Sequence, residues 1–298
     1  MTLRVALLGR GMAGTIFHAP LIRAVPAFEL AAIAGAADGA AAIASPDIDL
    51  VVIATPNPTH YPLAAAALEA GKHVVVDKPF AVTLAEADAL IALATTKGRM
   101  LTVFHNRRWD GDFLTVRRLV ESGALGEIGL FEAHWDRFRP RPRTGWREQP
   151  VAGSGLLWDL GPHLVDQALV LFGVPDSVSG EVAIQREGGK ADDYFELVLR
   201  YGAMRTRLAA SSLIAEPRPR FSIHGTKASF VKYGLDPQEA ALKREATALD
   251  PDSGRGDPPC DGVLTRADGG REPVATLPGR YLAFYEGVAA AIGEGAPP

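Results

Sequence analysis

Leu3-Arg4-Val5-Ala6-Leu7-Leu8-Gly9-Arg10-Gly11-Met12-Ala13-Gly14 opens the chain with a short apolar run that leads straight into a glycine loop. The run is continuous rather than alternating, which suits a strand buried on both faces. Ile16 to Val25 reads as a helix stopped near Pro26, and Phe28 to Ala34 as a second strand, so the opening forms a β-α-β unit. Glycines spaced G-x-G-x-x-G occur in many turns, but between a strand and a helix they form a dinucleotide fingerprint. Gly9 allows the tight turn, Gly11 lets a pyrophosphate approach the backbone, and Gly14 lets helix and strand pack closely. Arg10, Met12 and Ala13 complete the loop, and unpaired N–H groups at the helix N-terminus favour phosphate there.

The alternation continues. Asp49 to Thr55 is another apolar strand, His60 to Ala70 an alanine-rich helix closed by Gly71, and His73 to Asp77 a further strand. A helix over Leu84 to Thr96 and a strand over Met100 to Phe104 follow. Strands separated by helices predict a parallel sheet with helices on both faces. After about residue 106 the pattern changes to longer, partly alternating strands, Gly129 to Asp136, Val178 to Arg186, Tyr194 to Tyr201 and Met204 to Ser211, for which antiparallel pairing is the simpler arrangement. One apolar helix, Pro162 to Phe172, interrupts them. The expected organisation is an α/β domain over residues 1–105 and an α+β domain over residues 106–298. The polar, glycine- and proline-rich stretch Ala246 to Gly270 reads as a mobile loop.

Composition excludes several classes. The chain has 298 residues, enough for two cores, and a formal charge of -4 with acids and bases interspersed. There is no basic stripe for nucleic acid, only a short arginine cluster between Arg137 and Arg147. No apolar stretch reaches the about eighteen residues that a membrane helix requires. The single cysteine, Cys260, can form neither an internal disulfide nor a metal site, which fits a reducing cytoplasm; no metal is expected.

Five groups of residues carry chemistry. At the adenosine end, the acidic residue expected about twenty residues past the loop is missing, because the second strand ends Ile33-Ala34-Gly35-Ala36-Ala37-Asp38. Its absence, with Arg10 as a partner for a 2′-phosphate, tilts the expectation toward NADP over NAD; a solvated loop arginine is the alternative. Thr55-Pro56-Asn57-Pro58-Thr59-His60 sits at the carboxyl end of a strand, facing the cofactor crevice, with Thr59 as a helix N-cap. Asp77-Lys78-Pro79 places an ammonium at the carboxyl edge of the sheet, where Lys78 can donate to a ribose hydroxyl and to a substrate oxygen. In Trp158-Asp159-Leu160-Gly161-Pro162-His163, Asp159 is expected just before a helix and His163 in its first turn, presented together by a chain reversal at Gly161-Pro162. Histidine titrates near neutrality and can take the proton of an alcohol that loses hydride. Arg107, Arg137 and Trp146, in arginine-aromatic segments, suit a polyhydroxylated or anionic small molecule, or else a surface ion-pair network.

With the glycine loop, Thr55-Pro56-Asn57 to His60, Asp77-Lys78-Pro79, Asn106-Arg107-Arg108 and Asp159 to His163 in this order, the chain resembles the Gfo/Idh/MocA oxidoreductases over nearly its whole length, most of all the NADP-linked scyllo-inositol dehydrogenase branch. That branch is suggested by Phe104-His105-Asn106-Arg107-Arg108-Trp109-Asp110 and Lys232-Tyr233-Gly234-Leu235-Asp236-Pro237-Gln238-Glu239. The resemblance implies an N-terminal Rossmann domain and a C-terminal domain with a large open, mainly antiparallel sheet that often forms a homodimer or homotetramer face. It makes Lys78 the catalytic lysine, with Asp77 in place of the commoner glutamate, and Asp159 and His163 the D-x-x-x-H pair. It assigns substrate contact to Arg107 and the cofactor to the glycine loop, Thr55, Pro56, Asn57, His60, Asp77, Lys78, Pro79 and Asn106. The implied reaction moves hydride between a secondary alcohol of a cyclic polyol or sugar and NAD(P). Alternatives are an enzyme that retains NAD and recycles it during glycoside cleavage, and a non-enzymatic cofactor or sugar sensor. Two departures stand out: the family's extra helix and short strand before Asp49 are missing from the short stretch Gly35 to Ile48, and the chain stops at Pro297-Pro298 after the Tyr281 to Ile292 helix.

Overall fold

The computed structural model describes residues 2–244, 254–255 and 261–295; Cys260 lies outside them. The chain divides into two compact units. The first comprises Met1–Asn106 with the described residues of Gln238–Ser253 and Arg280–Pro298, the second Arg107–Pro237 and Gly254–Gly279. The boundary expected near residue 105 therefore has returning segments: residues assigned from sequence to the second domain pack with the first.

In the first unit, strands β1 (Leu3–Leu8), β2 (Phe28–Ala34), β3 (Leu50–Ile53), β4 (His73–Val76) and β5 (Leu101–Val103) form a sheet ordered β2-β1-β3-β4-β5, with every pair parallel. Val5 to Leu8, Leu50 to Ile53 and Val74 to Val76 are buried, as their unbroken hydrophobicity requires. The order reverses between β1 and β3, and ligands of such sheets bind outside the strands' carboxyl ends at that reversal.

The helices are α1 (Ala19–Ala24), α2 (Gly39–Ala44), α3 (His60–Glu69) and α4 (Leu84–Lys97). A π-type turn, Ala13–His18, precedes α1, with the Ala19 N–H reaching back to the Gly14 carbonyl. Pro20 follows and has no N–H to give, so the wide turn passes without losing a donor. The short stretch before Asp49 is occupied by α2 alone. α4 begins with a capping box, the Thr83 hydroxyl accepting from the Glu86 N–H and the Glu86 carboxylate from the Thr83 N–H, and ends at Gly98 in the left-handed region.

The second unit is built on β6 (Ile128–His134), β7 (Ser177–Ala183), β8 (Tyr194–Tyr201), β9 (Met204–Ser211), β10 (Phe221–Gly225), β11 (Ala228–Lys232), β12 (Gly262–Arg266) and β13 (Arg271–Val274). Their order is β13-β12-β11-β10-β6-β9-β8-β7, antiparallel except for β6 with β9. α5 (Gly111–Glu121) and α6 (Gly155–Phe172) share one core with the sheet. Phe113, Val116 and Leu119 come from α5, Leu156, Leu160, Leu164 and Ala168 from α6, and Phe131, Phe195, Leu208, Phe221, Ile223 and Phe230 from the strands. Truncating one such Leu to Ala costs about 2–5 kcal/mol.

Three sequence expectations need correction here. α5 was not foreseen, although Phe113, Val116 and Leu119 carry the helical period. The expected loop contains β12 from Gly262, paired with β11 and turned into β13 through Gly269, whose φ is 85°; Asp268-Gly269-Gly270 is a hairpin signal. The third concerns Pro162. It lies inside α6 rather than at its start, so there is no chain reversal at Gly161-Pro162. The interior proline removes one hydrogen bond, but the Leu156-Leu160-Leu164-Ala168 stripe and the anchoring of the helix start hold the helix through it. That anchoring comes from Asp192, whose carbonyl accepts from the Leu156 N–H and whose carboxylate accepts from the Leu157 N–H at 2.6 Å. α7 (Gln238–Lys243) and α8 (Leu282–Glu294) belong to the first unit. Among the described residues no helix is long and apolar enough to cross a membrane.

Candidate active site

The glycine loop lies at the carboxyl end of β1, and its three glycines do different things. Gly9 has φ 123°, and a Cβ there would lie 2.2 Å from the Ala54 carbonyl oxygen, so the loop passes against the end of β3 only as glycine. A Cβ on Gly14 would lie 2.1 Å from the Gly9 carbonyl oxygen. Gly11 differs: a Cβ there would meet nothing within 4 Å, and Gly11 and Met12 are exposed. Open space thus lies over loop backbone beside the first turn of a helix, whose N–H groups lack intrahelical acceptors. A dinucleotide pyrophosphate fits that cradle.

Thr55 to His60 and Asp77 to Pro79 follow β3 and β4 and are joined by His60. The His60 ring is buried, with Nδ1 2.7 Å from the Pro79 carbonyl and Nε2 2.9 Å from the Thr55 carbonyl. Its observed work is to hold the two loops together. Thr59 sits at the cap position of α3 without capping it, because its hydroxyl turns back to the Thr55 hydroxyl and the Pro56 carbonyl, 2.7 Å from each. Asn57 is buried and starts the short turn Asn57–Thr59. The Asp77 N–H continues the ladder to the Ile53 carbonyl, and its carboxylate accepts the Lys78 N–H at 2.7 Å, so Lys78 leaves the sheet edge on a fixed backbone. The Lys78-Pro79 peptide is cis. Asn106 is buried at the end of this segment.

Beneath these loops lies a polar pair that sequence reasoning missed. His18, fully buried, places Nδ1 2.6 Å from the Tyr285 hydroxyl of α8, while its ring centre lies 4.2 Å from that of Phe104. Burial lowers the His18 pKa from 6.5 to about 4, against the opposing charge of Asp77 and with a smaller contribution from His60. Burial, and then Asp77, push the Tyr285 hydroxyl well above its ordinary value. A histidine four residues past Gly14 was the visible trace; its tyrosine partner, distant in sequence, was not.

In the second unit, α6 carries Asp159 and His163 one helical turn apart, which puts them on one face. The Arg137 guanidinium donates to Asp159 at 3.1 Å, and Arg147 stands 3.8 Å from its other oxygen. His163 is buried, its ring 5.9 Å from that of Trp135. The Arg107 guanidinium lies 4.7 Å from the Trp135 ring centre, with Arg220 at 5.0 Å. Trp135 therefore contacts both Arg107 and His163, a part not assigned to it from sequence. The Gln167 amide donates to the Arg107 carbonyl and accepts from Arg220, and Arg108 grips Asp166 through two hydrogen bonds. Trp146 is half-buried in a short turn, stacked under Arg147 at 4.7 Å. Burial, and after it the neighbouring charges of Arg137 and Arg143, lower the Arg139 pKa, against the opposing charges of Asp159 and Glu148.

Known proteins and protein families match both units of the chain. Residues 36–105 match the oxidoreductase family with an NAD-binding Rossmann fold, and residues 113–231 match the GFO/IDH/MocA C-terminal domain. The chain is 48% identical to the uncharacterized oxidoreductase YdgJ of Escherichia coli, covering 99% of this chain and 90% of that protein. It is 37% identical to the scyllo-inositol 2-dehydrogenase (NADP(+)) IolW of Bacillus subtilis, covering 99% and 87%. The crystal structure of an oxidoreductase from Bacillus cereus superposes with a TM-score of 0.89 at 32% identity, covering 99% of this chain and 90% of that one.

Proposed function

The chain belongs to the Gfo/Idh/MocA oxidoreductase family, with an NAD-binding Rossmann domain, and on that premise we propose that it oxidises a secondary alcohol of a cyclic polyol or sugar. The observation that carries this reading is α6, which holds Asp159 and His163 on one face with Arg137 against Asp159, while Trp135 contacts both His163 and Arg107. Carboxylate, imidazole, guanidinium and indole together suit a polyhydroxylated ring. The scyllo-inositol 2-dehydrogenase activity in the name of the Bacillus subtilis relative supports the cyclic polyol class.

The bound nicotinamide supplies the hydride acceptor. Lys78 orients the reacting oxygen and favours its alkoxide character, His163 takes the hydroxyl proton, and Asp159 positions the substrate or His163. Gly9 to Gly14 hold the pyrophosphate, Thr55 to His60 and Asp77 to Pro79 with Asn106 line the cofactor, and Arg107, Arg137 and Trp146 contact substrate. A homodimer formed through the second unit's sheet and a cytoplasmic location accompany this reading.

A panel of inositols and aldoses, each offered with NAD+ and with NADP+ and followed at the absorbance of the reduced nicotinamide, tests it. The expected result is turnover of a cyclic polyol or sugar. Product formed with no net change in absorbance would favour cleavage with a recycled cofactor, and inertness toward the whole panel would overturn the reading.

A further inference from the structure

Five arginines fall within eleven residues between β6 and α6, at Arg137, Arg139, Arg141, Arg143 and Arg147. The backbone that bears the first of them is fixed. The Arg137 and Arg139 N–H groups donate to the Ser211 and Ser212 carbonyls at 2.9 and 2.7 Å. The guanidinium of Arg186, only 3% exposed, donates through Nη1 to the Arg139 and Arg141 carbonyls, 3.4 Å from each. Its other nitrogens hold Asp193 and Glu148, each at 2.7 Å, and Arg218 grips Asp136 through two hydrogen bonds. Three carboxylates beside the segment are thus committed to other cations. Asp159 remains, and it serves two arginines: Arg137 at 3.1 Å and Arg147 at 3.8 Å, the second too long for a hydrogen bond. Among the described residues no carboxylate stands within ion-pair distance of Arg139, Arg141 or Arg143. Arg141 and Arg143 are exposed and have water instead, whereas Arg139 is partly buried. Burial, and then Arg137 and Arg143, lower its pKa even against Asp159 and Glu148, so its cation lacks compensation.

We propose that the substrate is an acidic sugar or polyol, and that Arg139, with Arg137 and Arg147 beside it, binds its anionic oxygens, those of a carboxylate or a phosphate ester. The inference rests on the alcohol-oxidation reading above and narrows its substrate class. A guanidinium presents forked, planar donors that match two oxygens of either group. Arg147, 4.7 Å over the Trp146 ring, makes no side-chain hydrogen bond among the described residues, so its donors are available to such a ligand. Both peptide groups flanking Arg139 are held before any ligand arrives, by Ser212 and by Arg186, which reduces the ordering that binding requires. A macromolecular anion would use the exposed Arg141 and Arg143. The uncompensated charge at Arg139 lies instead within electrostatic reach of Asp159, on the helix that carries His163, where a small molecule being oxidised would sit.

Matched pairs test the proposal: glucose against glucuronate and glucose 6-phosphate, and myo-inositol against myo-inositol 1-phosphate. The unaltered protein is compared with Arg139→Gln and Arg147→Gln, each checked for folding by its melting temperature. In the unaltered protein kcat/KM for an acidic member should exceed that for its neutral parent at least about tenfold, chiefly through KM, as expected for a charge-assisted hydrogen bond. The larger ratio distinguishes carboxylate from phosphate. Arg139→Gln should bring the ratio to within about twofold of one, and Arg147→Gln should lower it. Turnover without preference for either acid, or a preference that survives Arg139→Gln, would overturn the proposal and leave the alcohol-oxidation reading standing. Calorimetric titration of the acidic sugars in the presence of NADP+ reads the same site without turnover: affinity lost in Arg139→Gln supports the proposal, and equal affinity or no binding overturns it. Inertness toward every member, neutral and acidic, would overturn the alcohol-oxidation reading, and the titration then decides the proposal alone.

Discussion

The rings of Trp135 and His163 lie 5.9 Å apart and tilted by 30°, while the same indole carries the Arg107 guanidinium 4.7 Å from its ring centre. One aromatic side chain thus bears on the proposed proton acceptor and on the proposed substrate arginine. Trp135→Phe, which keeps an aromatic face but not its breadth, should lower kcat about tenfold through misplacement of these groups while leaving cofactor affinity unchanged. Trp135→Ala, at a position only 4% exposed, should cost about 3–5 kcal/mol of stability as well. Steady-state kinetics and denaturant titration read the two effects separately.

Lys78→Ala and His163→Ala should each reduce kcat by about 100-fold or more, the range associated with a general base or a charge acting on the reacting oxygen. Calorimetric dissociation constants for the cofactor should stay within about threefold of the unaltered protein in His163→Ala, which touches none of the residues proposed to line the cofactor, whereas Lys78→Ala should also weaken cofactor binding through loss of its donor to the ribose. Near-native turnover in both variants would reject the assignment.

The glycine loop offers a paired test. Gly14→Ala would drive its Cβ to 2.1 Å from the Gly9 carbonyl oxygen, so the loop must shift, with lost stability and lost cofactor binding together. Gly11→Ala meets nothing within the chain and should leave the melting temperature nearly unchanged, yet place a methyl group where pyrophosphate approaches. Thermal denaturation without cofactor, followed by cofactor titration, separates them; equal loss of stability in both would contradict the assigned roles.

His18 makes stability depend on pH. Its pKa falls from 6.5 to about 4 on folding, so the unfolded chain binds the more protons and acid favours unfolding. The contribution is fully present above about pH 6.5 and is lost as the pH falls toward 4, by up to about 3 kcal/mol at 1.36 kcal/mol per unit. His18→Gln, which retains a hydrogen-bonding partner for Tyr285, removes this titration. His73 and His134 are shifted the same way by burial, so the comparison must be between the two proteins. Their melting temperatures should converge between pH 6.5 and 4; a constant gap would show that His18 is not buried in its neutral form.

Local pattern accounts for much of the first unit. Continuous apolar runs at Val5 to Leu8, Leu50 to Ile53 and Val74 to Val76 can be satisfied only by strands covered on both faces. The glycine spacing announces its loop because each glycine answers a close approach or an opening that a Cβ would spoil. In the second unit the same reasoning misplaced the start of α6, since Pro162 is a helix breaker by local rules. Four buried apolar residues on one face, with Asp192 anchoring the first turn, outweigh one missing hydrogen bond. His60 was legible as a residue of the crevice, but not as the clasp between the Thr55 and Pro79 carbonyls, which lie on opposite sides of it in the chain.

The order of motifs along the chain was enough to establish the parallel sheet, the dinucleotide loop and the candidate lysine and histidine, because each follows from periodicity or from a steric demand within a few neighbouring residues. Folding added the pairings across long separations: Tyr285 against His18, Arg137 against Asp159, and Trp135 beside both Arg107 and His163. Charge and burial at these positions depend on which distant side chain arrives there, and that is a property of packing in three dimensions rather than of local pattern.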